Sequence, residues 1–222
     1  MAVDVVTVWN QALAAAGSRA TVSSETEVSR EANLARLWYD SVKNNVLKTA
    51  SWPSTKRYSR LAVLAERDSS ADWVNTDPSP GYKFAYAVPD GMLAPRFLTT
   101  YARFEQEMLG DKLAIMTNEE QAVLHFSAKQ DDVTRWDAGL DMAMVYSLAA
   151  HMCYGLNAKS GLAARLDEKA FSFVVSAQTD VANEADDYAD ALASWHAGRG
   201  FTDVPVATQF IYPYEKLNAA GT

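Results

Sequence analysis

Chemistry in this chain has to come from carboxylates, three histidines and one thiol. Glycoside hydrolysis needs only two carboxyl groups about 5–10 Å apart in a cleft. Two pairs meet that requirement by position: Glu27 with Glu31, one helical turn apart, and the neighbours Glu119 and Glu120. With 28 acidic residues such pairs arise by chance. Glu27 also stands in Ser24-Glu25-Thr26-Glu27, a capping box in which Ser and Glu reciprocally satisfy free backbone N–H groups, so it is explained without catalysis. His125, His151 and His196 lie far apart, and none has a two-ligand spacing with another His or Cys. They read as core or surface histidines. Cys153 is the only cysteine, which rules out an intrachain disulfide and a cysteine-rich zinc site. In the run Ala149-Ala150-His151-Met152-Cys153-Tyr154 it reads as a small buried hydrophobe rather than a nucleophile. The chain has no P-loop, no dinucleotide-binding glycine pattern, no nucleophile elbow and no serine–lysine motif of the penicillin-binding type. The expectation is a protein that is not an enzyme and has no cofactor and no metal.

The elements that would position any site come next. A chain of 222 residues can bury a sizeable core as one large domain or two small ones. Its 20 Lys and Arg against 28 Asp and Glu leave a net charge of −8, which argues against a protein that works by neutralising phosphates. Such acidity keeps a protein soluble, and it also suits a passage that DNA slides through without sticking. Asp4 stands where a signal peptide wants Lys or Arg, and Asn10-Gln11 interrupt the apolar stretch, so no export signal is expected. No run approaches the ~18 apolar residues of a membrane span, and a reducing cytoplasm is the expected place of folding.

A first helix is predicted from Asp4, as N-cap, to Ala16, with Val5, Trp9, Ala12, Leu13 and Ala16 on one face and Gly17 ending it. A second starts at the capping box and carries Leu34, Leu37, Trp38, Val42 and Val46 until Pro53 stops it. From Ser54 to about Ala128 alternation replaces the helical stripe. Leu61, Val63, Ala65 form one run and Tyr82, Phe84, Tyr86, Val88 another, with Asp77-Pro78-Ser79-Pro80-Gly81 and Pro89-Asp90-Gly91 as turns. Arg103–Glu107, Lys112–Met116 and Gln121–Ser127 look like further strands, the first two joined through Leu109-Gly110-Asp111. Helical spacing returns at Asp131-Asp132 with Val133, Trp136, Leu140, Met144, Leu148 and His151, ending near Gly155. A last helix starts near Ser160 with Leu162, Leu166, Ala170, Phe173, Ala177 and Val181, then continues as an acidic stretch through Asp180, Glu184, Asp186, Asp187 and Asp190. After Gly198-Arg199-Gly200 the tail carries Phe201, Phe210, Ile211, Tyr212 and Tyr214, too apolar for a simple solvated end.

The expected fold is mainly α with an inserted β subdomain: an antiparallel four-helix bundle plus a small antiparallel sheet or barrel. Residues 1–53 and 129–197 would form the helical bundle, 54–128 the β subdomain, and 198–222 an extended C-terminal docking arm.

In order and spacing, several segments resemble one family. They are Asn10-Gln11-Ala12-Leu13 leading to Gly17, the Arg30-Glu31-Ala32-Asn33 helix with Trp38-Tyr39-Asp40 and Leu47, and Ser51-Trp52-Pro53. Tyr82-Lys83-Phe84-Ala85-Tyr86-Ala87-Val88-Pro89-Asp90 follows, then the Trp136–Leu148 helix with Leu148-Ala149-Ala150 and a long final helix with Ala177 and Asp180. Over about residues 5–195 the chain resembles the head-to-tail adaptors of tailed phages, especially the tail tubular protein A group of short-tailed phages. That resemblance implies a structural virion protein of the tail or neck, assembled in the host cytoplasm as a homo-oligomeric ring, a dodecamer in the family. The ring would sit between the portal protein and the tail nozzle (tubular B-like) protein, extend the DNA channel and help retain the genome. DNA would pass through the lumen without sequence-specific binding, and no membrane is involved. In related adaptors a C-terminal arm reaches the portal, which makes Phe201, Phe210, Ile211, Tyr212 and Tyr214 the candidate portal contact by position and composition. A virion-associated peptidoglycan hydrolase, or another neck or stopper protein of the tail, is the alternative.

Overall fold

The computed structural model describes residues 4–68, 73–156 and 160–197, with residues 160 and 181–197 as backbone alone. Two compact units divide the chain, Met1–Thr179 and Asp180–Thr222. The first holds nearly every described element. The proposed arm residues Phe201, Phe210, Ile211, Tyr212 and Tyr214 lie outside the described residues.

Helix α1, Val5–Ala15, begins where Asp4 accepts a hydrogen bond from the Thr7 N–H at 2.7 Å, and Gly17 follows its end at φ +80°, the left-handed turn only glycine enters freely. Val8, Trp9, Ala12 and Leu13 form its buried face. Just beyond, Asn10 clamps the loop: its amide oxygen accepts from the Val22 N–H at 2.7 Å and its amide nitrogen donates to the Val22 carbonyl at 2.9 Å.

Helix α2 spans Arg30–Thr49, several residues later than the capping box suggests. Ser29 is the actual N-cap, while Glu27 accepts from both the backbone N–H and the hydroxyl of Ser23 and closes a separate turn ahead of the helix. The buried row is also rotated from the expected one. Ala32, Ala35, Tyr39, Val42 and Val46 face the core, Leu34 and Trp38 lie at its margin, and Leu37 is 67% exposed. Small Ala32 and Ala35 at the contact let the neighbouring helix come close, which a row of Leu and Trp would prevent.

No glycine ends α2, and its orphan carbonyls are satisfied from three other elements. The Trp52 indole N–H donates to Val46 at 2.9 Å, the Arg96 guanidinium to Lys48 at 2.9 Å and to Ala50 at 2.7 Å, and the Gln178 amide to Thr49 at 3.3 Å.

The β part comprises seven strands in two antiparallel sheets. One sheet has the order β1 (Lys56–Arg60), β7 (Val123–Ala128), β4 (Met92–Leu98). The other has the order β2 (Val63–Glu66), β3 (Phe84–Ala87), β6 (Lys112–Thr117), β5 (Phe104–Leu109). Leu98, Leu124 and Phe126 of the first sheet share a core with Phe84, Tyr86 and Ile115 of the second. On the outer face of the second sheet Tyr82, Ala85, Ala114 and Met116 form a smaller buried cluster.

Two 3-10 turns flank the sheets, Pro53–Thr55 and Val133–Arg135. Asp132 caps the second of these, and a separate N-cap, Asp137, starts α3, Ala138–Gly155. Helix α4 runs Ser160–Ala197, and Ala163, Leu166 and Val174 join the helical core with Leu162, Phe173 and Ala177 at its margin.

The expectation of an antiparallel four-helix bundle with one small sheet or barrel is therefore corrected. Among the described residues four helices stand beside two separate antiparallel sheets. The helical core is not made by helices alone, since Leu93 of β4 packs against it. The sheets in turn close around a core of their own, which the short alternating runs underrepresented.

Candidate functional site

Among the described residues none of the sequence's catalytic candidates forms a site. Glu27 is held by Ser23, and the Ser23 hydrogen bonds keep its carboxyl below the usual carboxylate range. The loop at Glu119 serves the fold: the Thr117 hydroxyl accepts its N–H at 3.3 Å, and its carbonyl accepts the Tyr86 phenol at 2.7 Å. His151 Nδ1 lies 2.8 Å from the Ser147 carbonyl, one turn back on α3, and its ring packs against Trp38 at 5.2 Å. The side chain of His196 is among those not described. Among the described residues no group of three or more His, Cys, Asp or Glu could hold a metal ion, and no helix is long and apolar enough to cross a membrane.

Cys153 is 1% exposed on α3, and burial pushes its thiol above the ordinary value, opposite to what a nucleophilic cysteine needs. In the folded protein it should therefore react with an aromatic disulfide reagent at least roughly tenfold more slowly than in denaturant, following the opening of the core. Equal rates in both conditions would contradict this placement.

The most concentrated electrostatics lie at Lys43 of α2, a buried amine 2.6 Å from Asp131 and 3.1 Å from Asp40, with its ammonium 5.2 Å from the Tyr39 ring centroid. Burial alone would lower the Lys43 pKa, but hydrogen bonds to Asp131 and Asp40 outweigh it and hold the amine above its ordinary value. The hydrogen bond from Lys43 in turn keeps Asp131 below 3.8. The arrangement ties α2 to the chain leaving β7.

The sign of the pH dependence follows. Asp131 is depressed in the folded state, so its contribution is present above the unfolded carboxylate pKa and is lost as pH falls through the folded value. Lys43 is raised, so its contribution is present below 10.5 and is lost as pH rises through its folded value. Because Asp131 is 60% exposed, Asp131→Asn should lower stability near neutrality by only about 1 kcal/mol or less. It should also flatten the acid limb of a plot of Tm against pH below about pH 4. Parallel acid limbs for the two proteins would remove the assigned coupling.

A shallow groove of about 420 Å³ runs between α2, α3 and α4, with Asn45, Thr49, Ser147 and Phe171 among its walls and Asp167 and Glu168 exposed along it. Its only titratable lining residues are the neighbouring carboxylates Asp167 and Glu168, with no His, Lys or Cys beside them.

A different kind of surface lies on the outer face of the β1–β7–β4 sheet. Tyr58 pairs across from His125, and His125 from Phe97. Their rings form a row: Tyr58 to His125 at 5.8 Å, His125 to Phe97 at 4.5 Å and 13°, Phe97 to Tyr101 at 5.2 Å and 7°. Tyr58 is 76% and Tyr101 63% exposed. Tyr101 holds φ +55°, a left-handed conformation that is uncommon for a side chain of this size and that aims its ring along the row.

Compared with protein-family models and with curated proteins, the chain matches none.

Of the residues in the row, sequence patterning singles out only His125, as a core or surface histidine. The available signal was Tyr58, an aromatic set among the charged residues Lys56, Arg57 and Arg60, where a buried strand would not place it.

Proposed function

We propose that the protein is a structural virion component, a head-to-tail adaptor that forms a ring between a portal and a tail nozzle, extends the DNA channel and helps retain the packaged genome. The observation that carries this reading is the order of the family-like segments, together with the structural work those residues do here. Asn10 fastens the loop after α1, Trp52 is fully buried at the end of α2 where Ser51-Trp52-Pro53 leads into the sheets, and Pro89-Asp90-Gly91 turns β3 into β4. Such residues fix the joints of a scaffold. The net charge of −8 supports a channel protein over a DNA-gripping one, because a lumen that repels phosphates lets DNA pass. The role requires no catalytic residue, cofactor or metal.

The decisive experiment is sedimentation velocity of the full chain mixed with the portal ring encoded in the same genome, beside a chain truncated after Gly200. Co-sedimentation of the full chain that is lost on truncation is the expected result, and it would assign Phe201, Phe210, Ile211, Tyr212 and Tyr214 to the portal contact. Failure of both chains to bind would overturn the adaptor reading in favour of another neck protein or a peptidoglycan hydrolase.

A further inference from the structure

We propose that the aromatic outer face of the β1–β7–β4 sheet is a seat for the distal half of α4 from a second copy of this chain. Lys56, Tyr58 and Arg60 alternate onto the same face of β1, with partners Ser127, His125 and Val123 on β7, so the basic Arg60 stands beside the outermost ring. At the other end of the row Tyr101 is held in a left-handed conformation beside Phe97. Toward Ser127 the face is closed by Arg96, which donates to the Ser127 hydroxyl at 2.9 Å and reaches the end of α2. The ring row therefore continues the sheet face beyond the part that the helices cover. An occupant has to be apolar along a line and acidic beside it.

The chain carries one segment of that chemistry. Between Asp180 and Asp190 there are five acidic residues, and no Lys or Arg occurs from Asp180 to Gly198. The backbone of this stretch is helical to Ala197. On that helix Val181, Ala185, Tyr188, Leu192 and Trp195 recur at alternating intervals of four and three, the spacing of a helix-docking stripe. Glu184 borders the stripe, and Asp180, Asp186, Asp187 and Asp190 occupy the remaining faces. The ring-to-ring steps of 4.5–5.8 Å are close to the helical pitch of about 5.4 Å, so the row and a helical stripe share one repeat. A sheet face on one copy and a helix face on the next make a heterologous contact, which propagates around a ring when the rotation closes. The inference deepens the ring reading by naming a subunit contact.

The test is sedimentation velocity of the isolated full chain from about 1 µM to several hundred µM, at low and at high salt, for the wild type, Tyr58→Ala, Arg60→Glu, Glu184→Lys and the Arg60→Glu/Glu184→Lys pair. Expected is a mass that rises with concentration and falls with salt. Tyr58→Ala and each single charge reversal should weaken association at least tenfold, and the paired reversal should recover most of it, which a misfolded variant would not do. A monomer at every concentration, or association indifferent to these substitutions, overturns the proposal. So does a charge-reversal effect on stability without any change in mass, which would seat the helix on its own sheet. Binding of the chain to the portal ring is read separately. Association through this face without portal binding would sink the adaptor reading alone, and portal binding with no effect of Arg60→Glu on association would sink this contact alone.

Discussion

Trp52→Ala should lower stability by about 3–5 kcal/mol, and Tm by on the order of 10 °C for a chain of this size, read by circular dichroism or calorimetry. Trp52 is 0% exposed and performs two tasks at once. Its ring fills the space beside α3 where Gly139 sits, and a side-chain carbon added at Gly139 would lie 3.5 Å from it. Its indole N–H satisfies the Val46 carbonyl in the last turn of α2, while its own carbonyl receives the N–H groups of Thr55 and Lys56 and the Thr55 hydroxyl. Truncation therefore opens a cavity and leaves a carbonyl without its partner. Trp52→Phe separates the two tasks. It keeps most of the ring and should cost less than half as much, about 1–2 kcal/mol, of which the lost hydrogen bond is the larger share. Equal effects of the two substitutions would mean that the hydrogen bond, and not the packing, holds this joint.

What could be read from the sequence tracks how local each signal is. The bounds of helix α1 were legible, because an Asp cap, a 3.6-residue stripe and a terminal glycine all lie within a few residues, although the buried Val8 was not placed on its core face. The β5–β6 hairpin was legible for the same reason, with Gly110 at φ +60° between Leu109 and Lys112, which face each other. Strand β4 was hidden by Pro95, which cannot donate to a ladder. It is tolerated because β4 lies at the edge of its sheet and its register slips on either side of that residue. Strand β1, Lys-Arg-Tyr-Ser-Arg, was hidden because an exposed edge strand needs no apolar alternation, and charge there discourages pairing with strangers. The start of α2 was misplaced because two Ser/Glu arrangements compete within a few residues, and only tertiary packing selects Ser29. The aromatic row could not be assembled from the sequence, where only Tyr58 stands out as an aromatic among charged residues. Its four rings come from β1, β4, β7 and the turn after β4, and nothing in a linear pattern says that Tyr58 and Phe97 both flank His125.

The sheets should prove as sensitive as the helical joint. Tyr86→Ala is expected to cost about 3–5 kcal/mol, since the ring is fully buried at the centre of the core that the two sheets share. Tyr86 stands opposite Val63 on one side and Ile115 on the other, so its loss loosens three strands together. Tyr86→Phe keeps the ring and deprives the Glu119 carbonyl of its 2.7 Å hydrogen bond, for about 1 kcal/mol. The pair of truncations also decides whether the molecule melts as one body. Leu93 packs into the helical core from β4, and Arg96 on the same strand holds the end of α2, so damage to either core should reach the other. Tyr86→Ala and Trp52→Ala should then each lower a single transition, the same by far-ultraviolet circular dichroism, which reports the helices, and by tyrosine and tryptophan absorbance, which reports packing. If Tyr86→Ala instead lowers only an early absorbance change while the helical signal melts where it did before, the coupling through Leu93 and Arg96 is too weak to unite the two cores.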